Sequence, residues 1–109
     1  MTRTELLEIL ERHRKWLAGE AGGQRADLSD ADLREADLRG ADLYNCCLPL
    51  WCGGLRIKLD RLQMAQLMYH LCSMECNDQE VLALQKSLYA FANEFAESRA
   101  DLKDKIFRG

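Results

Sequence analysis

Residues 26–45 read Ala26-Asp27-Leu28-Ser29-Asp30, Ala31-Asp32-Leu33-Arg34-Glu35, Ala36-Asp37-Leu38-Arg39-Gly40, Ala41-Asp42-Leu43-Tyr44-Asn45, four uninterrupted copies of a five-residue unit. A fixed internal period comes first in the reading because it decides how the chain can bury its apolar side chains. On an α-helix five residues advance about 500°, so each leucine would sit about 140° round from the last and no apolar stripe would form. On a flat strand an odd period throws successive leucines to opposite faces and leaves half of them in water. What remains is a chain that bends once per unit. Every leucine then points to a common axis, and the alanine two residues earlier fits where the walls come close.

This pattern, Ala-(Asp/Asn)-Leu-x-x, resembles that of the pentapeptide-repeat proteins. The resemblance implies a right-handed quadrilateral β-helix with four repeats per coil. It puts Leu28, Leu33, Leu38 and Leu43 at the central inward position and Ala26, Ala31, Ala36 and Ala41 at the second, with the aspartates and the last two residues of each unit facing outward. Cys46-Cys47-Leu48-Pro49-Leu50 reads as a degraded fifth copy with Cys46 in the alanine place, so the coil is expected over residues 26–50. Typical members stack many coils and this chain holds about one. Such a short coil has open rims whose backbone N–H and C=O groups lack partners. The flanking segments, or a second copy of the protein, must cover them.

The flanks supply candidates. Leu6, Leu7, Ile9, Leu10, His13, Trp16 and Leu17 recur at helical intervals, with Thr2 and Glu5 as a capping box, and predict a cap helix over 3–18 that Gly19 and Gly22-Gly23 stop. Leu55 to Asp60 alternates apolar and charged, which predicts a short strand over 55–60. Beyond it, 61–105 reads as helices: one through Leu62, Met64, Leu67, Met68 and Leu71, then one capped by Asn77 or Asp78 and carrying Val81 to Ala96. They are expected to pack as an antiparallel hairpin. The expected fold is thus a single α+β domain over 1–109, a short β-helix capped by an N-terminal helix and a C-terminal helical hairpin. The wide apolar helical faces argue for a homodimer.

Fifteen Lys and Arg against 18 Asp and Glu, in 109 residues, argue against a basic nucleic-acid-binding surface, so no direct nucleic-acid binding is expected. Five cysteines form no complete disulfide framework, no secretory leader follows Met1, and the longest apolar run, Cys46 to Cys52, is too short for a bilayer. A cytoplasmic protein without membrane contact is expected. Cys46, Cys47, Cys52, His70, Cys72 and Cys76 include ligand-type residues but lack the paired C-x2-C units of a zinc ribbon, so no metal is expected. His13 and His70 have no evident nucleophile partner, and no phosphate loop or nucleophile elbow occurs. A non-enzymatic protein without a cofactor is the reading.

Charge is uneven. Residues 26–45 carry Asp27, Asp30, Asp32, Glu35, Asp37 and Asp42 against Arg34 and Arg39, a net of four negative charges, while the rest is close to balanced. A second acidic row is expected on the last helix at Glu94, Glu97, Asp101 and Asp104. The resemblance implies an acidic surface imitating DNA, because multi-coil members occupy the DNA channel of topoisomerases. These ten acids are the candidate binding residues of a small phage- or prophage-type inhibitor acting on a topoisomerase or a host-defence, CRISPR-type nuclease. The alternative is a structural adaptor or oligomerisation module that uses an apolar interface on the C-terminal helices. Either reading makes the partner a protein.

Overall fold

A computed structural model describes residues 1–108. The chain divides into two units, Met1–Leu59 and Asp60–Gly109.

In the first unit α1 spans Arg3–Leu17. Thr2 caps it, its Oγ1 accepting the Glu5 N–H at 3.1 Å, while its hydroxyl donates to the Glu5 carboxylate. After α1 the chain doubles back tightly: Gln24 N–H donates to Arg12 O at 3.0 Å, and a Cβ on Gly23 would overlap the Trp16 backbone. The residue at 23 is thereby restricted to glycine.

The repeats then form their corners. The N–H groups of Ala31, Ala36, Ala41 and Cys46 donate to the carbonyls of Leu28, Leu33, Leu38 and Leu43 at 2.9–3.1 Å, one closed turn per unit. In three of these turns the last residue of the unit has a positive φ, at Glu35 (64°), Gly40 (84°) and Asn45 (61°), the signature of a type II turn. Leu28, Leu33, Leu38 and Leu43 are all buried, and Leu6, Ile9 and Leu10 of α1 pack on them. The four leucines therefore share one interior, and α1 lies against it.

The expected right-handed quadrilateral β-helix is not what the chain forms. Among the described residues there is no β-strand and no sheet, and regular structure is helical. Pairing is limited to two isolated parallel bridges, Asp27 with Cys47 and Asp37 with Lys58. The α+β class falls with it, and so does the strand over 55–60, where Leu55 and Arg56 form a turn and Lys58 alone makes a bridge. The reason is length. A ladder needs consecutive bridged residues along neighbouring turns, and fewer than two turns with a corner every five residues leave each side one bridge at most.

What the chain does form is a coil of turns that meets itself again after four sides. Asp27 lies beside Cys47, twenty residues on, with Leu28 N–H donating to Cys47 O (2.8 Å) and Cys47 N–H to Ala26 O (3.1 Å). Leu33 N–H reaches Gly53 O (2.8 Å) and Leu38 N–H reaches Lys58 O (3.0 Å). The Asp37–Lys58 bridge is offset by twenty-one residues, so the second turn carries one residue more. That residue enters between Cys47 and Gly53, where the chain runs into a 3-10 turn, Cys52–Gly54. Ile57-Lys58-Leu59 consequently lies over Ala36-Asp37-Leu38, and Ile57, Leu59, Cys46 and Leu48 join the leucine core.

His13 ties helix to coil. It is 0% exposed, and its Nδ1 accepts the Ala26 N–H at 3.0 Å. Its Nε2 therefore carries the proton and donates to Tyr44 O at 2.8 Å. One ring thus satisfies buried backbone at the first and the last corner of the repeats.

The second unit is a helical hairpin, α2 at Arg61–Ser73 and α3 at Gln79–Glu97. Asp60 and Gln63 form a full capping box at the start of α2, and Asp78 caps α3 by accepting from Glu80 and Val81 N–H. Small residues let the helices approach: Ala65, Cys72, Ala92 and Ala96 are buried with Phe95. Gln85 Nε2 donates to Leu71 O and Met74 O, both at 2.8 Å, the first shared with the Met74 N–H, and so ties α3 to the end of α2.

Candidate interaction surfaces

The aspartates of the repeats are corner-forming residues before they are surface charges. Asp27, Asp32, Asp37 and Asp42 each accept, through Oδ1, the N–H two residues on, from Ser29, Arg34, Arg39 and Tyr44 at 3.1–3.2 Å. This Asx turn opens every corner, and it needs a short side chain with an acceptor oxygen, which is why Asp occupies the place. Arg34 closes a fork on Asp32 (2.9 and 2.6 Å), and Arg39 does the same on Asp37 (2.9 and 2.8 Å). Hydrogen bonds from the Arg34 side chain and N–H hold the Asp32 carboxyl down at about 2. Those from Arg39 push Asp37 lower still, and the Ser29 hydroxyl and N–H lower Asp27. Glu35 lies 3.7 Å from Arg56, and Asp30 is exposed at the turn after Ser29.

The other four acids are dispersed. Glu94 receives a two-pronged Arg61 guanidinium from α2 at 2.9 and 2.8 Å, which lowers its carboxyl, and Arg61 also lies over the Phe91 ring. Glu97 is the last residue of α3, and Asp101 and Asp104 sit in the turns that follow. The helix does not continue far enough to align all four.

Among the described residues no three His, Cys, Asp or Glu side chains are grouped as a metal ion would require. Burial, with the neighbouring Cys47 and Asp27, pushes the Cys46 thiol up to about 11, and burial also raises Cys72, whose Sγ donates to Gln85 O. Both stay protonated thiols at neutral pH, the weak form for metal binding or attack. No described helix is long and apolar enough to cross a membrane.

The hairpin has large apolar side chains on its outside. Met64, Leu67, Leu71 and Met74 are 40%, 38%, 36% and 61% exposed, spaced three, four and three residues apart along and just beyond α2. Ala65 and Cys72, the buried residues facing α3, lie about 130° round the helix from them. The sequence shows this only as one broad apolar face. The part of α2 that is buried carries the small residues Ala65 and Cys72, while α3 contributes Phe95 with Ala92 and Ala96.

Residues 24–48, which include all four copies, match the family described as Pentapeptide repeats (8 copies). This is a pentapeptide-repeat segment. No curated protein and no solved structure matches the chain. Pentapeptide repeats suggest a protein of the protein–protein interaction type, and the repeats here position corner aspartates around a leucine core.

Proposed function

We propose that this chain is a non-catalytic adaptor that oligomerises through the exposed side of α2, the occupant of that face being the same face of a second copy. The observation that carries the reading is that Met64, Leu67, Leu71 and Met74 stand exposed on the outside of the hairpin while Ala65 and Cys72 of the same helix are buried. The three-four spacing of Met64, Leu67 and Leu71 within α2 is the seam by which two helices interlock side chains at a shallow crossing angle, with Met74, the extended cap residue, bordering it. A strip with no charged residue at any of its four positions is complementary to itself, as a two-fold interface demands. The pentapeptide-repeat unit is then presented in two copies.

Sedimentation velocity tests this. A dimer of twice 12.5 kDa at micromolar concentration, little affected by raising salt, is expected. The double substitution Leu67→Glu and Leu71→Glu should return monomer with helical content intact. A wild-type chain that stays monomeric, or a dimer indifferent to those substitutions, overturns the reading.

The acidic DNA-mimicking inhibitor has less behind it. Its four corner aspartates serve backbone, two carry a bidentate guanidinium, and the acids of the second unit form no continuous row.

A further inference from the structure

Beyond α3 the chain passes through local turns, Leu102 N–H donating to Arg99 O and Lys105 N–H to Leu102 O, and then lays residues 105–108 against the hairpin. Two side chains hold that segment by its main chain. Asn93, 8% exposed in the middle of α3, donates from Nδ2 to Phe107 O and accepts the Phe107 N–H at Oδ1, both at 2.8 Å. Tyr69 of α2 donates its hydroxyl to Lys105 O at 2.9 Å. The Phe107 ring lies nearly parallel to Tyr89, 5.1 Å between centroids, and tilted against Tyr69 at 4.9 Å; Tyr69 rests on Phe95 behind it.

A primary amide buried on a helix is costly unless both its donor and its acceptor find partners. Asn93 finds them in one residue of an extended segment, taking the N–H and C=O that a neighbouring strand would take. None of these hydrogen bonds depends on which side chains the segment carries. The one side chain that is read is aromatic, by two tyrosines and through stacking geometry.

We propose that the groove of Tyr69, Tyr89 and Asn93 is a recognition site for an extended peptide bearing an aromatic residue, occupied here by the chain's own residues 105–108. The same groove accepts a segment of that chemistry from a partner protein. The resident segment is held by three main-chain hydrogen bonds and one aromatic ring, on a tether of local turns, so an incoming peptide replaces each contact in kind. This site is separate from the seam on α2, and either reading can fail alone.

The test uses the full chain with Phe107→Ala, which removes the resident anchor, and a fluorescent peptide Lys-Asp-Lys-Ile-Phe-Arg-Gly, the sequence of residues 103–109. Saturable binding by anisotropy is expected. Peptides with alanine for phenylalanine, or N-methylated at the phenylalanine nitrogen, should bind about tenfold more weakly or worse, since the first loses the ring packed on Tyr69 and Tyr89 and the second leaves Asn93 Oδ1 without its donor. No binding to a variant that keeps its helical circular dichroism overturns the proposal, as does equal binding of the N-methyl peptide. Should Phe107→Ala unfold the hairpin, a wild-type groove can be used with a protease site replacing residues 100–103. After cleavage the resident segment should exchange with labelled peptide, and failure of the labelled peptide to enter overturns the proposal equally.

Discussion

Replacing His13 with leucine keeps an apolar side chain of similar bulk on α1 while removing both ring nitrogens. The Ala26 N–H, which lies in a wholly buried bond, and the Tyr44 carbonyl, which is partly buried, then lose their partners together. A buried donor left unsatisfied costs about 1–3 kcal/mol, and a partly solvated acceptor about 0.5–1.5 kcal/mol. The expected loss is about 1.5–4.5 kcal/mol, a large share of the stability available to a chain of this size. Trp16 and Trp51 are the only tryptophans and both lie in the first unit, so urea titration followed by tryptophan emission reports that unit. The midpoint should fall sharply while the slope stays constant. A loss under about 0.5 kcal/mol would show that the imidazole does not join helix to coil, since two orphaned backbone groups cannot be that cheap.

Asp37→Ala should lower the urea midpoint of the first unit while Asp37→Asn lowers it much less, because an amide oxygen can still accept the Arg39 N–H; parallel urea titrations compare them. The corner carboxylates also set an acid limit. Their folded values lie below the ordinary aspartate value, so their contribution is complete above about pH 4 and is lost as pH falls toward 2 and beyond. Tryptophan emission should report weakening across that window, and less of it in the double variant Asp32→Asn with Asp37→Asn; an unchanged slope would point to other groups. Cys46, half-buried and held as a thiol, should alkylate far more slowly at pH 7.5 than the exposed Cys52 and Cys76, as peptide mass mapping after timed iodoacetamide treatment can show.

The period of five was sufficient to place Leu28, Leu33, Leu38 and Leu43 on one axis, since no straight element can bury all four. It was not sufficient to supply strands, because strand formation depends on how many turns stack, and that number is not contained in a single repeat. Ile57-Lys58-Leu59 escaped the pattern for a related reason. The extra residue near Gly53 shifts its register, and the apolar-charged alternation around it imitates a strand. The acids of the repeats were visible as charges, whereas their engagement with Ser29, Arg34, Arg39 and Tyr44 appears only once the corners are formed. Asn93 sits among apolar residues of α3 and gives no local hint of its partner, fourteen residues away at Phe107. The partial signal for His13 was its position on the apolar side of a cap helix, where a polar ring requires a partner.

A coil that meets itself every four sides makes its inventory of residues discrete. Material added in lots of twenty would reproduce the same neighbours one storey higher, with leucine still above leucine. Any other lot must be swallowed at a corner. The place where this chain has already done so is lined by Gly53 and Gly54, whose missing side chains make room for Trp51 and for the Pro49 carbonyl. Inheritance can therefore lengthen or shorten such a protein cleanly in whole storeys, and stray single-residue changes should collect where glycine lets the backbone crumple.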